Sequence, residues 1–255
     1  MARSPTGAIP PEPTALPDLV HAFSALQLLM VTAPGVEDFL TELSGLAARI
    51  VDPAGSCGIT LRRENSPLTI ASSDELAEAV DQVQYDSGAG PCLESLASAT
   101  TVDVPDLGAE TRWPGFRQRA LEFGVCSCLA IPLTGDAAVL GALNLYGRSP
   151  RVFHAAAQEK ARMFATQAAT ALRVVLRTAA HAEQTAQLEQ ALASRTEIDQ
   201  ALGILMGQQR CTADEAFALL RRHSQNNNRK LRDVAVDLIT RVTGQAPVSG
   251  SAFDR

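Results

Sequence analysis

The sequence predicts an α+β fold: an antiparallel sheet with flanking helices, then a long helix that leads into a small C-terminal bundle of three helices. Three observations predict it. Apolar residues recur at spacings of three and four in 35–51, alternate through much of 57–146, and return to three and four after 155. The connections between the strand-like runs are short, as antiparallel pairing allows and parallel crossovers do not. From Ala155 to about Gln209 there is no proline, and Gly203 and Gly207 are the only glycines, so little there breaks a helix.

Taken in order, residues 1–17 carry Pro5, Pro10, Pro11, Pro13 and Pro17 and no apolar core, which reads as a disordered tail and not a secretory signal. Leu19 to Val31 is an apolar run of helix length. Gly35 to Val51 is amphipathic, with Phe39, Leu43, Leu46, Ala47 and Ile50 on one side, and Pro53 and Gly55 end it. Cys57–Leu61 and Leu68–Ala71 read as paired strands joined across Glu64–Pro67. Asp74 to Val83 suits a short helix capped by Ser73 or Asp74. Gly88-Ala89-Gly90-Pro91 lacks the lysine of a phosphate loop and reads as a tight turn before Cys92. Thr100–Val104 alternates as a strand, and Phe116–Phe123 suits a helix after Trp113-Pro114. Val125–Pro132 and Val139–Tyr146 are two strands turned at Thr134-Gly135-Asp136.

In the long helix, Phe164, Ala168, Ala171, Val175 and Leu176 form an apolar stripe. Leu188 and Leu192 continue it, with Ala179, Ala182 and Ala186 between. Such a seam points to pairing with a second copy, as opposed to a domain-ending helix and a loose linker. The last section is three helical pieces. Glu197–Gln208 carries Ile198, Ala201, Leu202, Leu205 and Met206, and the chain breaks at Arg210-Cys211. Thr212 and Glu215 have capping-box spacing and open a helix with Ala216, Phe217, Leu219 and Leu220. After Asn226–Asn228 comes a third stripe of Leu231, Val234, Ala235, Leu238 and Ile239.

Composition narrows the function. No apolar run is long enough to span a membrane. The four histidines have no cysteine, serine or carboxylate partner at a recognisable spacing, so neither a nucleophilic triad nor a metal site is indicated. Five cysteines are an odd number without framework spacing, which places the chain in a reducing cytoplasm. Cys126 and Cys128 alternate onto one strand face, either as small core side chains or as a thiol redox pair. The net charge of −6 is unevenly spread: residues 221–232 hold five cations and no acid, leaving −11 elsewhere. That cluster is a phosphate-binding surface or a solvated helix end. Aromatic residues are scarce at 4%, and Phe217 fits a bundle core better than an exposed stacking site.

Two stretches resemble known families. Arg195–Met206, Thr212–Leu220, Ser224-Gln225 and Asn228–Ala235 together resemble the ANTAR domain, an RNA-binding module of transcription antiterminators. Ala201, Ala216, Ala235 and Phe217 stand at that family's signature positions, where small alanines let three helices close around one ring. Leu202 stands where many members have lysine. Asp81–Cys92, Arg112–Pro114, Gly124–Leu133 and Leu140–Tyr146 resemble a GAF domain of the kind often fused to ANTAR.

The resemblance divides the chain into a tail 1–17, a GAF-like sensor 18–178, a coiled-coil linker 179–194, an ANTAR-like domain 195–244 and a tail 245–255. It implies an antiterminator that binds paired RNA stem-loops, works as a homodimer through the long helix, and is not an enzyme. No cofactor or metal is expected, and a small-molecule ligand of unknown identity is possible in the GAF domain, in a pocket near Cys92, Asp103 and Trp113. In the RNA site, Arg221, Arg222, Arg229, Lys230 and Arg232 would meet phosphates, with Arg195 reaching the backbone. Gln200, Ser224, Gln225 and Asn228 both donate and accept, and would read base edges. The competing readings are a DNA-binding regulator, a GAF-based thiol enzyme using Cys92, Cys126 or Cys128, and a dimeric scaffold with a protein partner.

Overall fold

The computed structural model describes residues 16–51, 55–62, 69–135 and 138–247. They divide into two compact units, one ending at Ala179 and the other beginning at Ala180. The first holds helices α1 (Leu16–Thr32) and α2 (Val36–Val51), strands β1 (Ser56–Leu61) and β2 (Thr69–Ser72), and helices α3 (Glu75–Ser87) and α4 (Pro91–Ser98). Then come β3 (Val102–Val104), α5 (Pro114–Glu122), β4 (Ser127–Thr134) and β5 (Val139–Gly147). Helix α6 (Ala155–Gln209) begins in the first unit and continues into the second, which adds α7 (Ala213–Asn226) and α8 (Leu231–Thr243). Of the expected tails, residues 1–15 and 248–255 lie outside the described residues, while Leu16 and Pro17 open α1. The expected joint at Glu64–Pro67 and the turn residue Asp136 also lie outside them.

The sheet has the order β2-β1-β5-β4-β3, and every pairing is antiparallel, as the short connections require. Alternation along the strands divides the unit into two cores. Ile59 and Leu61 of β1, Leu129 and Ile131 of β4, and Leu143 and Leu145 of β5 join Phe39, Leu40 and Leu43 of α2 and Phe164, Ala168 and Leu172 of α6. On the other face, Val104, Cys128, Ala130 and Tyr146 pack with Val80 of α3 and Trp113, Phe116 and Ala120 beside or within α5. Trp113 and Phe116 meet edge to face, with ring centres 6.5 Å apart.

One element differs from expectation. Gly88–Pro91 does make a turn, but a helix starts directly from it. Gly88 closes α3 in the left-handed region (φ 63°), Gly90 takes φ 157°, and Pro91 is the first residue of α4. Proline at that position loses no helical hydrogen bond, because the first amides of a helix lack partners anyway. The eight residues of α4 are too few to display a helical period.

In the second unit, Ala201 of α6, Leu220 of α7, and Val234, Ala235 and Ile239 of α8 form a small core. The break falls where the sequence places it: Arg210 takes φ 53°, and Thr212 and Glu215 form a complete capping box. Ala201, Ala216 and Ala235 are fully buried, as close helix approach demands. Phe217 corrects an expectation, because it is 41% exposed and outside that core. Ala201 and Ala235 share that core with aliphatic side chains, and no aromatic ring belongs to it.

Candidate nucleic-acid interface and sensor core

The basic cluster is built by the turn between α7 and α8. Helix α7 ends as Asn228 enters the left-handed region (φ 49°), where asparagine is tolerated. The Ser224 hydroxyl donates to the Arg229 carbonyl at 2.6 Å, and the Arg229 amide returns a bond to the Ser224 carbonyl at 3.0 Å. Ser224 therefore ties the turn. Arg221, Arg222, Gln225, Asn228, Arg229 and Lys230 are all exposed around it.

The five cations separate into two groups. Arg229 Nη1 lies 2.5 Å from Asp237 Oδ2, in the second turn of α8. Arg232 is bidentate to Glu197 of α6, at 2.5 and 3.1 Å, and Glu197 is buried. Hydrogen bonding to these carboxylates raises both guanidiniums further, and Arg229 holds Asp237 below the usual carboxylate range. Among the described residues, Arg221, Arg222 and Lys230 form no ion pair. Arg195 lies on α6 at 3.9 Å from Asp199, and Gln200 is exposed on the same helix, three residues beyond Glu197. The cluster is thus neither buried nor fully neutralised: three cations face solvent unpaired, while Arg229 ties the turn to α8 and Arg232 ties α8 to α6.

The sensor's second core contains a polar network centred on α3. The Asp81 carboxylate of α3 is fully buried over the sheet. Its Oδ1 accepts from the Tyr146 hydroxyl and from Asn144 Nδ2 at 2.9 Å. Gln84, one turn on, donates to the Tyr146 hydroxyl at 2.8 Å and accepts from the Cys92 amide at 2.8 Å, tying α3 to the start of α4. Thr60 of β1 completes it, bonded to the Tyr85 hydroxyl, to Cys92 Sγ at 3.2 Å and to Asn144 at 3.2 Å. Asp81 Oδ2, Asn144 Oδ1 and Ser95 Oγ are buried without partners. Gly58 makes the close approach possible, since a Cβ there would overlap Asp81 Oδ2. Desolvation pushes the Asp81 carboxyl up to about 7, against the lowering effect of its bonds from Tyr146 and Asn144. The available signal was a polar stripe at Asp81, Gln84 and Tyr85, spaced three and four along a helix whose Ala77, Val80 and Val83 are buried.

The three expected pocket residues do not come together. Cys92 packs with Leu96 and Ala142, Trp113 packs in the second core, and the Arg112 guanidinium stacks 4.2 Å over the indole. Asp103 pairs in register with Leu129, on the opposite sheet face, and accepts from Gln158 of α6 at 2.8 Å. Burial pushes the Cys92 thiol up to about 12 and raises Cys57 and Cys128 as well, which suppresses the thiolate that redox chemistry needs. Cys126 precedes β4 and is half-buried. Among the described residues no histidine, cysteine and carboxylate cluster suits a metal, and no helix is long and apolar enough to cross a membrane.

Comparison with known proteins follows the same division. The GAF domain family model matches residues 25–172, and the ANTAR domain model matches residues 186–239. Among solved structures, the GAF domain of an Acinetobacter phosphoenolpyruvate-protein phosphotransferase is 18% identical, with 61% of this chain and 92% of that one covered at a TM-score of 0.48. The GAF domain of a phosphoenolpyruvate-protein phosphotransferase from Coxiella burnetii is 16% identical, covering 68% and 99% at 0.49. A free methionine-R-sulfoxide reductase from Neisseria meningitidis, in complex with its substrate, is 13% identical, covering 67% and 97% at 0.47. No curated protein matches the chain.

Proposed function

Because the chain belongs to the GAF family and carries a C-terminal ANTAR domain, we propose that it is a signal-responsive antiterminator that binds paired hairpins in nascent RNA. The observation that carries this is the trio Arg221, Arg222 and Lys230, exposed and unpaired at the turn between α7 and α8 in an otherwise acidic chain. A stem-loop offers phosphates to such cations, and its loop offers unstacked bases. Gln225 and Asn228, exposed beside the trio, supply both donors and acceptors for base edges.

The two-hairpin requirement follows from α6. Every residue from Arg177 to Leu192 is exposed, including Leu188 and Leu192 at 66%. Two such leucines, four residues apart and solvated on an unsupported helix, are the seam of a dimer formed along 179–194. A dimer presents two bundles, and tethering turns the second hairpin contact into an intramolecular event. Signal reading belongs on the sheet face under α3 and α4, where Cys92 and Trp113 lie, and not at Asp103. The buried, protonated thiols favour regulation over thiol catalysis.

The test is a gel shift of the full chain against two-hairpin RNAs. Arg221→Ala with Arg222→Ala is expected to weaken binding at least tenfold, since each lost phosphate contact costs about 1 kcal/mol. Unchanged affinity, or displacement of the RNA by equimolar duplex DNA, defeats this reading.

A further inference from the structure

Between α6, α7 and α8 the bundle leaves a cleft of about 410 Å³, within the size range of small-ligand sites. Its walls are aliphatic: Leu205, Leu219, Leu220, Val234 and Leu238. Its rim is polar: Gln209, His223, Arg229, Asp237 and Arg241. Leu219 stands at the mouth, 40% exposed, and Leu205 and Leu238 are only partly buried against the core. A bundle this small would be more stable with that space filled, since unfilled apolar volume forfeits packing.

We infer that this cleft receives one unstacked loop base of each RNA hairpin, held flat between the leucine walls with its polar edge toward Asp237. The inference rests on the RNA reading and specifies how the bundle distinguishes one loop from another. Charge argues for the occupant. Arg229 and His223, on the rim of the cleft, also belong to the basic run 221–232, and Arg241 adds a further cation to that rim. An apolar protein segment has no need of that cationic surround, whereas a nucleotide carries its phosphate into it. The apolar walls take the faces of a base, which every base possesses. The Asp237 carboxylate accepts hydrogen bonds and cannot donate them when ionised. It therefore selects a base whose edge bears N–H donors, guanine above all, with N1–H and N2–H side by side. The pairing with Arg229 holds the carboxylate ionised and in place at the rim.

The experiment uses the full chain and a pool of two-hairpin RNAs with randomised loops, from which binders are selected. Each loop position of a selected RNA is then replaced by an abasic nucleotide. One position per hairpin is expected to lose affinity tenfold or more. Leu219→Trp, which fills the mouth, should bind intact RNA only as well as the native chain binds that abasic RNA, with no further loss when the two changes are combined. Asp237→Asn, which keeps the side-chain volume, should select a different base at that position and thereby tests the cleft even if the tryptophan variant fails to fold. The inference is overturned if Leu219→Trp folds and binds intact RNA normally, or if the abasic penalty persists undiminished in it. It is also overturned if Asp237→Asn keeps the same base, or if Leu219→Trp dissociates the dimer in sedimentation while RNA binding survives, which makes the cleft a contact between copies. If the native chain retains no RNA from the pool with a steep salt dependence, the RNA reading itself fails and takes the cleft with it.

Discussion

Asp81 in the sensor and Glu197 in the bundle are both buried carboxylates, yet they are held in different ways. Among the described residues, Asp81 has no ion-pair partner. Its partners are a phenol and amides, and the titratable groups around it are the thiols of Cys57, Cys92 and Cys128 and the phenols of Tyr85 and Tyr146. Glu197 meets the forked guanidinium of Arg232, which satisfies both its oxygens. Desolvation of a carboxyl buried among neutral groups favours its neutral form, even against the donors that favour the ionised one. A carboxylate matched to a guanidinium remains charged and works as a clamp between helices. The sensor therefore stores its polarity where solvent conditions can alter it. The bundle uses its buried charge to fix the helices that display the free cations.

The largest expected effect is on the pH dependence of the two units. The carboxyl of Asp81 ionises near 3.8 in the unfolded chain and at about 7 when folded. A raised value in the folded state means that its stabilising contribution is complete below about pH 4 and lost as pH rises through about 7. Over that span the loss is about 4 kcal/mol. Asp237 of the bundle is shifted downward by Arg229, so its contribution is present above 3.8 and lost only as pH falls further. Between pH 5 and 8, amide hydrogen exchange on the full chain should thus show β1 and β5 losing protection while α7 and α8 stay constant, after correction for intrinsic rates. Asp81→Asn should flatten the sensor's response. Equal losses in both units, or an unaltered slope in the variant, would remove the contrast.

Gly58→Ala tests the same network by volume. The new Cβ overlaps the buried Asp81 carboxyl, so that side chain or the helix carrying it must shift. Overpacking of this kind costs about 3 kcal/mol at the upper end of its usual range. The added effect of Asp81→Asn in the Gly58→Ala background should be less than additive, because both changes act on one contact. Full additivity in chemical denaturation would mean that the glycine matters for some other reason.

The contrast was only half legible in the sequence. Period and turn chemistry located β1, β4, β5, α2, α6 and the Thr212–Glu215 capping box, because those signals are local. The cation cluster was legible as composition, since five basic residues lie within 221–232. Their division was not. Glu197 lies 35 residues before Arg232 in the chain, and only folding brings the two together. Asp237 sits eight residues from Arg229 across a turn, outside the three- and four-residue spacings that helical pairing makes readable. The Asp81 network joins α3, β1 and β5 across separations of up to 84 residues, so single-element patterns show its members only as odd polar residues. Phe217 was misjudged for a related reason: neighbouring positions on α7 face different ways, and the fully buried positions are taken by Ala216 and Leu220.

The smallest expected effect separates clamp from contact within the cation cluster itself. A phosphate contact contributes roughly 0.7–0.9 to the slope of log affinity against log salt concentration, because neutralising a phosphate releases a counterion. Arg221→Ala removes an exposed, unpaired cation and should lower the slope by about that amount, leaving hydrogen exchange in the bundle unchanged. Arg232→Ala removes a cation already committed to Glu197. It should leave the slope nearly constant and accelerate exchange in α8, because it removes the forked guanidinium that ties α8 to the buried Glu197 of α6. Arg232→Lys should restore little of that protection, as an ammonium cannot make the forked contact. If instead Arg232→Ala reduces the slope as much as Arg221→Ala and leaves α8 protected, the ion pair yields to RNA on binding. The bundle would then spend its buried charge as the sensor does, on response and not on rigidity.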